Sequence, residues 1–411
     1  MTTALSRALF VRWRAAIFAI FLLSGLSIAT WAGRVPAIKV ALDIDKAQVG
    51  LLLLAMGVAS IIGISSGPFV LARTGARKGM LATMLLVAAG VILIGLGTDV
   101  AHSIPLVVLG LVLFGLGNGS LDVMMNVEAT AVEQVMKKTI LPVFHAFFSF
   151  GTVLGAGAAA LASGAGLTVA MHGGIVGALI ALAAVVCFMN VPDRAEAQDA
   201  TAEEKPPWRE RMHAALEVWR EPRTYALGIV MLGMAFAEGG ANDWLALGVV
   251  EGHGAPGEYG AAALAVFSVG MTAVRLLGGP LVDRFGRVVV LRALAVTATA
   301  GILLFILADG NLVLVFAGAA LWGIGASLGF PLGMSAAADD PAKAAARVSA
   351  AATIGYIAFL GGPPVLGLIS EHLGLLNTLF ILAVLALLSG LFSGAARPLK
   401  TRAGGEPDHR R

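Results

Sequence analysis

Between Lys138 and Asp193 the chain carries no Asp, Glu, Lys or Arg. In hydrocarbon every backbone N–H and C=O must be satisfied within the chain, and a helix of ~20 residues does this across the bilayer core. The run is long enough for two such helices, folded back at Ser163-Gly164-Ala165-Gly166. Similar charge-free gaps separate Arg14 from Arg34, Lys46 from Arg73, Lys78 from Asp99 and Arg347 from Glu371. Only 13% of the residues are charged, about half the share found in soluble domains. The chain reads as an all-α polytopic membrane protein.

Twelve spans are expected, at roughly 14–34, 48–72, 78–98, 103–126, 141–163, 168–190, 223–248, 258–282, 287–308, 311–337, 346–370 and 373–396. Of the 28 Lys and Arg, 24 fall on one side if the N-terminus is cytoplasmic. The other side holds Arg34, Lys39 and Lys46, and Arg275 lies inside a span. This asymmetry predicts a plasma (bacterial inner) membrane protein with both termini cytoplasmic. It also accounts for the basic pI of 9.2 without any nucleic-acid partner. Cys187 is the sole cysteine, so no internal disulfide is expected; neither metal nor cofactor is implied.

The two halves of the chain match. Thr30-Trp31 returns as Asp243-Trp244, Arg73-Thr74-Gly75 as Arg284-Phe285-Gly286, Gly115-Leu116-Gly117 as Gly323-Ile324-Gly325, and Ser149-Phe150-Gly151 as Thr353-Ile354-Gly355. The offsets fall smoothly through 213, 211, 208 and 204. A duplicated unit in a membrane chain implies two bundles moving about a central site. The domains expected are a six-helix bundle at 1–190, a linker at 191–222, a second bundle at 223–396 and a basic tail at 397–411. Within the linker, Trp208, Met212, Leu216 and Trp219 recur at helical spacing. They read equally as an amphipathic surface helix or a plain connector.

The loop Gly279-Pro280-Leu281-Val282-Asp283-Arg284-Phe285-Gly286-Arg287 resembles the loop motif of the major facilitator superfamily, which implies a fold of two pseudo-symmetric six-helix bundles. The first-half copy keeps Arg73 and Gly75 but has Ala72 and Ala76 where the second has Asp283 and Arg287. Arg73, Gly75, Asp283, Arg284, Gly286 and Arg287 are the expected cytoplasmic gate, with Asp283 pairing to a nearby Arg. Trp31-x-x-Arg34-x-Pro36, Gly117-x-Gly119-x-x-Asp122-Val123-x-Met125-Asn126, His145 and Glu238-Gly239-x-x-x-Asp243-Trp244 resemble the YbjJ-like branch, related to fucose-permease-type sugar transporters. The resemblance implies alternating access with proton coupling.

Ionisable groups inside spans are costly, about 2.5–3.5 kcal/mol each at mid-membrane, and by default face a cavity or a partner. Glu238, Asp122 and His145 are the proton-coupling candidates. Trp31, Arg34, Asn118, Asn126, Asn242, Asp243 and Trp244 are the candidates for holding a small-molecule substrate, with Asn and Asp supplying hydrogen bonds and Trp a stacking face. Each has a structural alternative. Asn118, Asp122 and Asn126 form one stripe that also suits an interhelical network, and Arg34 sits where a snorkelling arginine needs no function. Glu238 could pair with Arg275, although Arg275 is expected about 10 Å nearer the cytoplasm at 1.5 Å per residue. Gly239-Gly240 are expected to loosen the helix; Phe147, Phe148 and Met334 read as packing. His145, Ser149 and Thr152 follow one another at i, i+4 and i+7. No nucleophile–base–acid cluster or phosphate loop is found. The expected function is import of a small polar solute such as a sugar, driven by protons, by a monomer in the lipid bilayer. Export of metabolites or drugs, and a transport-inactive sensor, are the alternatives.

Overall fold

The computed structural model describes residues 7–136, 140–193, 217–340 and 343–399. The expected amphipathic helix of the linker, apart from Trp219, lies outside them. Among the described residues eleven helices are long and apolar enough to cross a membrane. One of these, Lys46–Asp99, has 54 residues, or about 80 Å if straight, against a hydrocarbon core of about 30 Å. Gly75 breaks it with φ 72° and ψ 163°. One span therefore lies on each side of Gly75, and the crossings among the described residues number twelve.

We number them α1 (Arg7–Ala32), α2 (46–74) and α3 (76–99), α4 (Ile104–Met136), α5 (Leu141–Gly164) and α6 (Val169–Asn190). The second half holds α7 (Pro222–Gly240), α8 (Gly257–Phe285), α9 (Arg287–Ile306) and α10 (Leu312–Ala326, resuming as Gly329–Ala337). It ends with α11 (Ala344–Leu373) and α12 (Leu375–Thr378 with Phe380–Phe392). An even number of crossings leaves both ends of the chain on one face, the terminal face; the opposite face is termed distal.

The repeat extends to backbone geometry. Four turns with positive φ recur in the second half: Asp43 as Gly254, Gly75 as Gly286, His102 as Asp309 and Gly166 as Gly374, at offsets of 211, 211, 207 and 208. Helix contacts recur too. A Cβ on Gly90 of α3 would meet the Gly110 carbonyl of α4 at 2.7 Å, and one on Gly110 would meet the Gly90 carbonyl at 2.9 Å. Gly301 of α9 and Gly318 of α10 stand in the same reciprocal contact, both at 2.9 Å. Small residues let helices approach where lipid offers no hydrophobic drive toward association.

Polar caps fix the helix starts. Asp45 and Gln48 form a reciprocal capping box at the head of α2, Thr168 accepts from Met171 N at α6, and Asn311 accepts from Val313 N at α10. The tenth span, expected over 311–337, runs Leu312–Ala337 and loses helical pairing at Ser327 and Leu328. The eleventh stays helical through Gly361-Gly362-Pro363-Pro364, where Gly50 of α2 packs on the Pro363 carbonyl.

Candidate functional site

A cavity of about 320 Å³ lies between the halves. Its wall draws on α1, α2 and α5 from the first half and on α7, α8 and α11 from the second, which are repeat equivalents. Trp31, Met56 and Phe148 face Glu238, Asn242 and Asp243 across it, and Ser60 and Thr152 add hydroxyls. Phe148, read as packing from the sequence, belongs to this wall.

Local backbone explains why two carboxylates share the cavity. Residues five apart stand about 140° apart in an α-helix at 3.6 residues per turn. The helix remains regular through Gly240, so the expected loosening at Gly239-Gly240 falls one residue later. From Ala241 to Leu245 it widens into an i→i+5 turn, and a second such turn spans Gly248–Gly252. Single π-turns recur at functional sites. This one brings Glu238 and Asp243 onto the cavity wall and leaves Trp244, fully buried, outside it against Gly367 of α11.

Arg275 of α8 is the hub beside the cavity. Its Nη2 donates to Glu238 Oε1 at 2.9 Å, its Nε to the Ser327 carbonyl at 3.0 Å, and its Nη1 to Ser149 Oγ on α5 at 3.1 Å. The expected separation of Arg275 from Glu238 is thus corrected. The helical rise counts residues along each axis, and it did not foresee that the two side chains bond directly. The carbonyl it takes at Ser327 is one freed by the interruption of α10. Trp322 on the same helix donates to the Ala237 carbonyl at 2.8 Å. The sequence reading had not singled out Ser327 or Trp322.

The remaining predicted residues fall at different depths. On α5 His145 is exposed, Ser149 is buried against Arg275, and Thr152 lines the cavity. Asn118 of α4 accepts from Ser24 Oγ of α1 at 2.8 Å. One turn nearer the terminal face, Asp122 is exposed, and Asn126 Nδ2 donates to its backbone carbonyl at 2.8 Å. None of these three lines the cavity. Two residues beyond Asn126, Glu128 is buried and takes the Trp13 indole N–H at 2.7 Å; the sequence reading does not single it out. Arg34 lies outside the cavity as well, 4% exposed, with Nη2 on the Leu167 carbonyl.

The loop motif is arranged differently from expectation. Asp283 is exposed and pairs with no described residue, whereas Arg287 binds Asp339 at 2.7 Å, beyond the end of α10. Arg223 holds the same carboxylate at 2.9 Å. In the first half Arg73 lies over the Phe69 ring and Arg77 donates to the Phe188 carbonyl. Among the described residues, all ion pairs between the halves lie at the distal face. Lys39 Nζ is 2.9 Å and Lys46 Nζ 3.8 Å from Glu251, and the Lys46 N–H donates to Glu371.

Two six-helix bundles meeting at a central cavity, pinned at one face, have the architecture of a membrane transporter rather than an enzyme. Residues 17–354 and 244–411 match the Major Facilitator Superfamily, and the chain belongs to that family. It is 31% identical over 396 residues to the uncharacterized transporter y4wD of Sinorhizobium fredii (strain NBRC 101917 / NGR234), covering 93% of this chain and 97% of that protein. It is 26% identical over 366 residues to membrane protein MosC of Rhizobium meliloti, with 89% and 85% covered. The nucleoside transporter NupG shares the fold at a TM-score of 0.73 and 16% identity, over 94% of this chain and 98% of that one. A D-xylose-proton symporter does so at 0.68 and 15%, over 93% and 97%.

Proposed function

We propose that this protein imports a small polar solute, such as a sugar or sugar derivative, together with protons by alternating access. The observation that carries the reading is the three-way bonding of Arg275. A proton on Glu238 removes the charge that holds the guanidinium, and the same guanidinium is tied to Ser149 in the other half. Protonation and the fit between halves are thereby linked through one side chain. Breaking a fully buried pair by neutralising one partner costs about 3–5 kcal/mol, an upper bound for this partly buried pair, and a few kcal/mol is enough to bias two conformations strongly. His145 and Asp122, exposed toward the terminal face, are the relay groups on that side.

With both termini cytoplasmic, the distal ion pairs close the outer side, and the chain rests facing inward in the bacterial inner membrane. It acts as a monomer, since one chain supplies both walls of the cavity. The solute meets Asn242 and Asp243 on one side and Trp31 on the other, and Asp283, Arg284 and Arg73 engage as a cytoplasmic gate when the inner side closes. The symport of xylose and transport of nucleosides by proteins of the same fold support a solute of this size. Export is favoured by one feature only, the aliphatic share of the wall contributed by Ile28, Met56, Met271 and Leu360.

The test is solute-triggered current from purified protein in proteoliposomes, screened over sugars, sugar acids, polyols and nucleosides. Current that Glu238→Gln abolishes supports proton-driven symport. Current unchanged in Glu238→Gln refutes the role of the pair, and binding without flux points to a sensor.

A further inference from the structure

Two carboxylates reach the cavity, but only one has a counter-charge. Glu238 is held by Arg275, whose three nitrogens are all engaged. Asp243 makes no hydrogen bond or ion pair with any described residue. Among the described residues no Lys, Arg or His belongs to the cavity wall. An isolated carboxylate in a low-dielectric site is costly unless something pairs with it, and among the described residues none does. The nearest complement is a cation brought by the solute.

The rest of the wall suits the same charge. Trp31 and Phe148 line the cavity, and aromatic residues attract ammonium groups. Met56 and Met271 add polarizable contacts without positive charge. The Asn242 side chain supplies a carbonyl acceptor and an NH2 group with two donors. An anionic solute would meet Asp243 with no free guanidinium or ammonium to offset it. The two halves have diverged at this point: where the second half places Asp243, the repeat-equivalent Thr30 bonds its own helix at the Leu26 carbonyl. The carboxylate is therefore a property of one half and not of the repeated scaffold.

We infer that the transported solute carries a protonated amine or quaternary ammonium group, and that Asp243 selects it. The inference rests on the transport reading of the same cavity. Glu238 keeps its place in coupling, and Asp243 pairs with the solute's positive end.

The test uses full-length protein in detergent and reads Trp fluorescence and thermal stabilisation on adding matched probes. Choline is set against its uncharged carbon isostere 3,3-dimethylbutan-1-ol, and glucosamine at pH 6 against glucose. The cation of each pair is expected to bind at least tenfold more tightly than its neutral partner. Asp243→Asn should erase that preference, and Asp243→Glu should keep it, separating charge recognition from a folding defect. Equal binding of neutral partners, discrimination that survives in Asp243→Asn, or silence toward tetramethylammonium, choline, glucosamine and putrescine alike overturns the inference. Failure of the transport reading shows separately. A cysteine at Ser60 on the cavity wall would then never be labelled from both membrane faces, whatever the probes do.

Discussion

Replacing Glu251 by Gln should open the distal face. Glu251 takes both lysines that bridge from the first half, Lys39 at 2.9 Å and Lys46 at 3.8 Å. The side chains are 19%, 21% and 26% exposed for Lys39, Lys46 and Glu251, so each pair belongs at the upper end of the surface range, about 1 kcal/mol. Loss of both costs the closed arrangement about 1–2 kcal/mol, which shifts the closed-to-open ratio about five- to thirtyfold. Ser60→Cys on the cavity wall reports the change, because native Cys187 is buried and stays silent. A membrane-impermeant maleimide applied from the distal side should label Ser60→Cys faster by that factor in the Glu251→Gln background. High salt should raise the wild-type rate toward the variant's. Exchanging the charges, Lys39→Glu and Lys46→Glu with Glu251→Lys, should slow labelling again. Rates within twofold of one another would refute the argument, since the pairs would then not be holding that face shut.

Asp339→Asn should destabilise the protein by about 2 kcal/mol, because it strands the partly buried Arg223 and Arg287 together; Asp283→Asn, at an exposed and unpaired carboxylate, should change the melting temperature little. Glu221→Gln tests a pH dependence. Arg347 and Lys343 pull the Glu221 carboxyl down to about 2 from the usual 4.5, so its stabilising effect is complete above about pH 4.5 and is lost as pH falls through 2. The gap in melting temperature between wild type and Glu221→Gln should therefore be full at pH 7 and close at the acid end of the scan. Gly151→Ala should cost about 1–3 kcal/mol by overpacking, since its Cβ would press on the Leu22 carbonyl of α1, while Gly157→Ala, facing open space, should be neutral.

How much of this was legible in the sequence depends on what kind of rule each feature obeys. The twelve crossings, the repeat and the turn glycines Gly75 and Gly286 follow from backbone hydrogen bonding in lipid and from steric limits on φ, which act locally and leave a pattern. Glu238, Asn242, Asp243 and Trp31 as cavity residues were legible because polar groups within a span are costly. The ion pairs were not. Helical rise gives the depth of a Cα, but an arginine arm reaches past it, so the union of Glu238 with Arg275 was hidden behind an apparent separation. Asp283 looked like the partner in its own motif, and Arg287 instead found Asp339 at the far end of α10. Such choices depend on tilt and packing that no local window contains.

The interruption of α10 and the π-turn of α7 carry a wider point. Both lie in the second half, beside one another, and Trp322 joins them by bonding the Ala237 carbonyl. Their first-half equivalents, α4 and α1, run as unbroken α-helices. One bundle is thus regular and supplies aromatic and hydroxyl surface through Trp31, Phe148 and Thr152. The other departs from helical geometry and carries the charged groups Glu238, Asp243 and Arg275. Departures of this kind expose backbone carbonyls that a charged side chain can use, as Arg275 uses Ser327. An asymmetric device of this kind cannot arise from the duplicated pattern alone. It requires that one copy keep the fold while the other gives up regular pairing to hold charge within the membrane.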